Sequence, residues 1–409
     1  MKRQDYSDIL PLTGVTVLEI GEHVSAPYCT KIMGNLGANV IKIEAPLKGD
    51  PSRLQGPFKD DSPHPERSGL FLFLNSGKKS ITLNLEIKSG QALFFKLVDD
   101  VDVLVENSNL NYLKDQRIEY ELLQKRNPKL VMTSITTFNQ KSSYNDRPAS
   151  DINAIAISGI QSTLGDPLRE PLNLPYSLCE FQAGAHAAAA TLMALFSSKM
   201  TGVGQIIHIS VADVLAYSFS PRIMLSMQGL KLRREGSRFC RSIQQYPYGI
   251  LPCKDGSYCL SGNMANWDTF LEIIGNPKWA NNPKYKDRKK IGTEYPEEVD
   301  TLLAPWMKSY TKKEIWEKCR DKKLPYAPVR TINEVVNEPH LKERDFFQEI
   351  NHPEAGKLLY PGTPFIFSGV SIKQNKSAPS LGEHNEDIYQ KRLGVDKAEL
   401  VKLSQAGVI

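Results

Sequence analysis

Short apolar runs alternate with amphipathic stretches through the first half of the chain. Val15–Ile20 (VTVLEI) is compact and rich in β-branched residues, so it reads as a buried strand. The loop GEHVSAP follows, then a helix over Tyr28–Leu36 closed by Gly37, then a second strand at Val40–Ile43. A strand–helix–strand unit predicts parallel pairing with a right-handed crossover. Strands are also expected at Ser80–Leu85, Val101–Glu106, Leu130–Thr136 and Gly204–Ser210. Helices are expected between them, at QALFFKLVDD with Ser89 as its cap, near Tyr120–Arg126, at DINAIAISGI opened by Asp151, and over Val211–Gln228. Alternation of this kind across the whole half predicts a doubly wound α/β domain.

One stretch stands apart: Leu178–Gln205, LCEFQAGAHAAAATLMALFSSKMTGVGQ. Alanine is the residue least costly to fix as helix, so this run is helical, and Gly202 and Gly204 suit its C-terminal cap. Its small side chains let a neighbouring backbone approach closely. Glu180 stands at its start, where the helix dipole favours a charged carboxylate, as a carboxylate nucleophile requires. Glu180 is therefore a nucleophile or what is left of one. Cys179 beside it reads as a small buried space-filler, and Asp151 as a helix cap lacking a histidine neighbour.

The pattern changes near Lys231. YPYGILPCKDGSYCLSG, Tyr246–Gly262, predicts a hairpin around Lys254-Asp255-Gly256, and Asn266 is placed to cap WDTFLEIIG. Polar helices and the Pro-rich KKLPYAPVRT complete a smaller α+β domain. The expected divisions are 1–229, 230–330 and 331–409.

At 409 residues, two domains are expected, and 41% hydrophobic with 24% charged residues is a globular balance. No apolar run is long enough for a membrane span, and MKRQDYSDILPL lacks the apolar core of a secretory signal. The net charge of +5 is small and its basic residues are scattered, which excludes a nucleic-acid stripe. The six cysteines form no CxxC pair, so reduced thiols in a cytoplasmic protein and no metal site are expected. The loop after the first strand lacks GxGxxG, which argues against a dinucleotide cofactor. The turn NSGKK offers amides and lysines to an anion, or is simply a solvated turn.

Taken in order, LTGVTVLEIGEHVSAPYCTKIMGNLGANVIKIEAPLKGDPSR, NSGKKSITLNL, DVDVLVEN, ASDINAIAISGI, the Glu180 helix, YPYGILPCKDGSY, YAPVRTINEVVNEP and LGEHNEDI resemble the family III CoA-transferases over nearly the entire chain. The resemblance implies a Rossmann-like large domain built from both chain ends, a small domain inserted between them, and an interlocked dimer. It implies coenzyme A or acyl-CoA as substrate, bound by the large domain, and a small carboxylic acid as second substrate. In such transferases an aspartate attacks the thioester, passing through an anhydride and an aspartyl-CoA thioester.

Laid residue by residue on that pattern, the aspartate falls on Glu180, one methylene too long. Cations expected around the coenzyme fall on Ala45, Asp115 and Thr136, and a Pro-Gly pair on Leu110-Asn111. Retained, and implied as coenzyme-binding, are His23, Val24, Ser25, Ala26, Asn75, Lys78 and Asn107. Together these departures resemble the non-catalytic type of subunit in a heteromeric member such as benzylsuccinate CoA-transferase, whose partner family III chain carries the aspartate. The alternatives are a homodimer using Glu180, an acyl-CoA racemase (disfavoured because Ser150 stands where histidine is usual), and a non-enzymatic binding module.

Overall fold

The computed structural model describes residues 9–108, 112–144, 147–230, 232–238, 240, 244–262, 267–373 and 375–409. The expected Asn266 cap and the Leu110-Asn111 pair lie outside the described residues. Two compact units result: Met1–Ser158 with Leu174–Phe219 and Pro339–Ile409, and Gly159–Asn173 with Ser220–Glu338. Beside the expected divisions, the second unit begins at Ser220, ends at Glu338 and also takes in the 159–173 segment.

The larger unit is built on six parallel strands: β1 (Thr16–Ile20), β2 (Asn39–Glu44), β3 (Lys79–Thr82), β4 (Val103–Glu106), β5 (Val131–Thr136) and β6 (Ile206–Ser210). Their spatial order is β3-β2-β1-β4-β5-β6. Val17 is in register with Val40 on one side and Val103 on the other, and Val103 with Val131. These strands carry nearly continuous apolar runs because helices cover both faces of the sheet. The direction of winding reverses between β1 and β4, and a ligand crevice opens at the carboxyl ends of strands at such a point.

The helices are α1 (Ser25–Asn35), α2 (Gly69–Asn75), α3 (Lys88–Val98), α4 (Tyr112–Asp115), α5 (Tyr120–Arg126), α6 (Asp151–Ile157), α7 (Leu178–Thr201) and α8 (Val211–Ser218). Leu18, Ile41, Ile81, Phe94, Leu97 and Leu104 form one core. The end of the chain joins it: Tyr389 is buried and its hydroxyl donates to the Thr82 carbonyl at 2.8 Å. The Asn84 amide donates to the Val408 carbonyl at 2.8 Å, so the strand expected over Ser80–Leu85 ends at Thr82.

Three local expectations are corrected. Helix α3 starts at Lys88 after Ile87, which supplies no side-chain cap, so Ser89 lies inside the first turn. Ser150 rather than Asp151 caps α6: the Asn153 Oδ1 accepts from the Ser150 amide at 3.0 Å and its hydroxyl at 3.1 Å. The helix expected over Val211–Gln228 is two helices, Val211–Ser218 and Ser220–Met227.

The second unit carries an antiparallel sheet of β7 (Tyr248–Cys253), β8 (Gly256–Ser261) and β9 (Ala327–Pro328). The expected hairpin forms, with Cys253 opposite Gly256. Helices at Trp267–Ile273, Pro296–Ser309 and Lys312–Arg320 bury Phe270, Leu303 and Ile315 against Tyr258 and Tyr326.

Helix α7 lies tightly along α1, and the closest approach is at Gly184. A Cβ there would stand 2.6 Å from the Ser25 carbonyl oxygen and 3.1 Å from the Tyr28 Cβ. Gly202 ends the helix with φ +76°, the left-handed cap that glycine adopts without strain. Gly184→Ala should therefore destabilise the protein. Overpacking of about 1–3 kcal/mol outweighs the roughly 1 kcal/mol gained in helix propensity. Urea unfolding measures this, and an unchanged or higher stability would refute the close packing of α1 on α7.

Candidate active site

Glu180 occupies the first turn of α7, behind Tyr176 and Ser177, both at φ +53°. The close approach at Gly184 brings this turn against the start of α1, and the Ser25 amide donates to Oε2 of Glu180 at 3.3 Å. The loop Glu22–Ser25 is fixed from two sides. Asn107, just beyond β4, accepts from the Glu22 amide at 2.9 Å and donates to the Glu22 carbonyl at 2.8 Å and the Ser25 hydroxyl at 3.0 Å. His23 holds φ +59°, a conformation unfavourable for a residue with a Cβ, and its amide donates to Asp50 Oδ1 at 3.1 Å. Val24 and Ala26 are buried and serve the loop as packing.

Asp50 belongs to a buried ionic lattice beneath that loop. Lys42, fully buried, pairs with Asp50 at 2.8 Å and Glu19 at 2.7 Å. Lys78 reaches Glu19 at 2.8 Å, the Pro27 carbonyl at 2.9 Å and the Asn75 Oδ1 at 2.9 Å. Burial pushes the Glu19 carboxyl up, but the two ammonium groups outweigh it and hold Glu19 below its ordinary range. Burial likewise lowers Lys78 to about 8, against the opposing pull of Glu19. All three protons of Lys78 therefore have internal partners, and Asn75 is buried beside it. Of the residues expected around the coenzyme, His23, Ser25 and Asn107 gather at Glu180. Asn75 and Lys78 lie beneath them, inside the lattice.

Glu180 itself departs from the dipole argument. Burial pushes its carboxyl above the ordinary range and the nearby Asp151 carboxylate adds to this; His23 and the Ser25 and Val24 amides oppose it without prevailing. The cost of removing the carboxylate from water exceeds the attraction of the helix end here. Asp151, expected only as a cap, is raised by its own burial while Cys179 hydrogen-bonds to it. Burial, then Asp151, drives the Cys179 thiol up to about 12, so it is a neutral, unreactive sulfur.

Two crevices open at the carboxyl ends of the strands. The first, of about 320 Å³, is lined by His23, Ser25, Asn107, Thr136, Arg147 and Glu180 among others. The second, of about 230 Å³, has apolar walls at Ile20, Ile43, Leu83, Leu85 and Tyr112, with Ala45 at its edge. No lysine or arginine lines it among the described residues, whereas Glu22, Glu44 and Asp50 do. Asp115 is exposed on α4, and the Thr136 hydroxyl donates to the Phe138 carbonyl at 2.6 Å. Reading the chain missed Arg147 and the lattice. Its signal was present: Glu19 and Lys42 interrupt the otherwise apolar runs Val17–Ile20 and Val40–Ile43.

The family model of CoA-transferase family III matches residues 12–385. The chain belongs to this family. It is 29% identical to the succinyl-CoA–D-citramalate CoA-transferase of Chloroflexus aurantiacus over 406 residues, 98% of each chain. It is 30% identical to the succinyl-CoA:(R)-benzylsuccinate CoA-transferase subunit BbsE of Thauera aromatica, over 99% of this chain and 98% of that protein. Among solved structures, a CAIB/BAIF family protein from Brucella suis superposes with a TM-score of 0.84 at 25% identity, covering 94% of this chain and 100% of that one. Among the described residues no helix is long and apolar enough to cross a membrane, and no three His, Cys, Asp or Glu side chains are grouped to hold a metal.

Two outcomes test the electrostatics. Glu180→Gln removes a carboxyl whose folded pKa is raised, so the wild type loses stability as pH rises through that pKa. The variant should be more stable than wild type at neutral pH and equal to it below about pH 4, where both side chains are neutral. A pH series of thermal melts checks this, and a gap that grows as pH falls would refute it. Lys42→Met leaves Asp50 and Glu19 undercompensated and should cost about 3–5 kcal/mol in urea unfolding. A loss of under about 1 kcal/mol would deny the lattice its structural role.

Proposed function

We propose that this chain is the supporting subunit of a two-chain CoA-transferase that moves CoA from succinyl-CoA to a carboxylic acid, with the nucleophilic aspartate on a second family III chain. The observation that carries this reading is the posture of Glu180. Its carboxyl accepts from the Ser25 amide at 3.3 Å, so one of its oxygens already has a partner within the chain. Burial and Asp151 raise its hold on a proton, which works against the ionised form that a nucleophile needs.

The second crevice supports the same reading. Its apolar walls suit a flat adenine ring, but no cation lines it among the described residues, Glu44 and Asp50 being already paired with Arg53 and Lys42, and Ala45 supplies nothing for a phosphate. Helix α7 also presents an apolar stripe, with Met193 67%, Phe196 70% and Met200 73% exposed, of the kind a second chain covers. Two-chain relatives exist: BbsE is named a subunit, and the succinyl-CoA–L-malate CoA-transferase of Chloroflexus aurantiacus has alpha and beta subunits, both 28% identical to this chain. In the pair, the partner's aspartate attacks the donor thioester, releasing CoA thiolate and forming an anhydride. The thiolate returns to the aspartyl carbonyl and frees the donor acid; the acceptor acid then repeats the exchange in reverse. We place the pair in the cytoplasm as an interlocked dimer, in keeping with six unpaired cysteines. The second reading, Glu180 as nucleophile in a homodimer, draws on its position at the rim of the 320 Å³ crevice.

The test is to purify this chain alone and with a family III partner bearing aspartate at the position of Glu180, and to assay transfer from succinyl-CoA. The pair should turn over, the partner's Asp→Asn variant should not, and the lone chain should be inactive with no hydroxylamine-sensitive acyl adduct on Glu180. A lone chain that turns over and carries that adduct overturns the proposal.

A further inference from the structure

The turn NSGKK offers amides and lysines to an anion, and the proposed function makes no use of it. Lys78 is spent on the ionic lattice, but Lys79 is not. It opens β3 beside a polar cleft of about 500 Å³ at the amino ends of β2 and β3, whereas Glu180 stands at the carboxyl ends. Asn39, Lys79, Asn351, Lys376, Glu383 and His384 line this cleft, and all belong to the large unit. The Gly77 amide donates to the Ser377 carbonyl at 3.0 Å and the Gly382 amide to the Ser80 hydroxyl oxygen at 3.0 Å, which fastens the returning end of the chain to the turn and to β3. The Ser80 amide donates to His384 Nδ1 at 3.3 Å; a backbone amide only donates, so the proton of the neutral ring lies on Nε2. Among the described residues, neither that N–H nor the Lys376 ammonium has a hydrogen-bond or ion-pair partner in the chain. Lys79 pairs with Asp387 at 3.0 Å, but both side chains are partly in water, so the pair is weak. Burial holds His384 below its usual range; Glu383 and Asp387 pull it up, and the charges of Lys79 and Lys376 push it down, so both lysines stand near the ring.

We propose that this cleft binds a phosphate group, free or carried by a small ester, on Lys79, Lys376 and the Nε2 proton of His384. A phosphate brings close to two negative charges and three oxygens, which matches two ammonium groups and one further N–H. A carboxylate brings one charge and two oxygens and leaves a donor unused. The cleft has room beyond a bare phosphate, and the side-chain amides of Asn39 and Asn351 suit the hydroxyls of an ester. Glu383 opposes the anion; among the described residues it is the one carboxylate in the lining, and its Oε2 already accepts from the Ser380 amide at 2.8 Å. A bound phosphate joins the end of the chain to the start of β3, one residue from the Lys78 that enters the lattice, and so stabilises the corner that carries the Glu180 loop. The site does not depend on which chain carries the nucleophile, nor on the proposed function.

The experiment uses the full chain without coenzyme, at constant ionic strength, and reads equilibrium binding. Isothermal titration and thermal melts are run with inorganic phosphate, glycerol 3-phosphate, inorganic sulfate and succinate. Phosphate or glycerol 3-phosphate should bind and raise the melting temperature, and succinate should not. Tighter inorganic phosphate assigns the site to the free ion; tighter glycerol 3-phosphate assigns it to an ester. Lys376→Ala should weaken binding by roughly 10-fold, the scale of one charge-assisted hydrogen bond, while Lys373→Ala, on the same segment but outside the cleft, should not. An anion favours the charged ring, so it binds more tightly as pH falls through the titration of His384. Sulfate stays doubly charged over that range and should bind the wild type more tightly at about pH 5 than at about pH 7.5. His384→Asn keeps an acceptor for the Ser80 amide, removes the Nε2 proton and should lose this trend. The unliganded melting temperature of each variant reports whether it still folds. No binding of phosphate, ester or sulfate, equal binding of succinate, unchanged affinity in Lys376→Ala, an equal loss in Lys373→Ala, or a pH trend kept by His384→Asn overturns the proposal.

Discussion

Glu19 and Lys42 are fully buried in adjacent parallel strands, and the loop that meets Glu180 is fastened to them. Removing two charges from water costs several kcal/mol each, and their attraction recovers this only when geometry is good and the remaining lone pairs and protons are satisfied. Here they are: Glu19 takes Lys42 and Lys78, while Lys42 takes Glu19 and Asp50. Asp50 then has one oxygen left for the amides of His23 and Ser52. A second buried pair, Arg53 with Glu44 at 2.7 Å, ties the same corner to β2, and the Arg53 guanidinium lies 3.7 Å from the Phe71 ring centre. Breaking any member strands a charge, so the lattice has one arrangement. That uniqueness is what holds His23 at φ +59°.

The opposite side of the loop depends on the absence of side chains. Gly184 lets α7 approach until its first turn touches the Ser25 amide, and the Ala-rich face beyond it keeps the two helices close. The site is thus set by an ionic anchor on one flank and close backbone packing on the other. Neither is a loop in the usual mobile sense, which suits a position where an error of about 1 Å matters.

Much of the large unit was legible because period and punctuation agreed. VTVLEI and VIKIE became neighbouring strands, Tyr120–Arg126 became a helix with those bounds, and Gly202 capped α7. Boundaries slipped where tertiary bonds intervened, as when Val408 took the Asn84 amide and ended β3 early. The site was legible in its members but less so in their tasks. Glu180, His23, Ser25 and Asn107 lie together, whereas the upward pull on the Glu180 carboxyl was not legible because burial is invisible in a one-dimensional reading. Asp151 looked like a cap for the same reason: nothing in the chain order places Cys179 and Glu180 beside it. Lys78 looked like an anion ligand because two of its three internal partners, Glu19 and Pro27, come from distant segments.

This difference between members and tasks bears on what each motif residue does for the fold of the chain. The side chains of Asn107, Asn75 and Lys78 are each bound into the lattice or the loop it fastens, so replacing one destabilises the fold whether or not the chain reacts, whereas His23 gives the lattice its backbone amide. Ala45 and Asp115 stand exposed at the crevice edge and along α4. Under the proposed pairing of two chains, stability restrains the first group and not the second. The side chains of Asn107, Asn75 and Lys78 therefore have a duty in the fold of this chain whatever their part in the reaction.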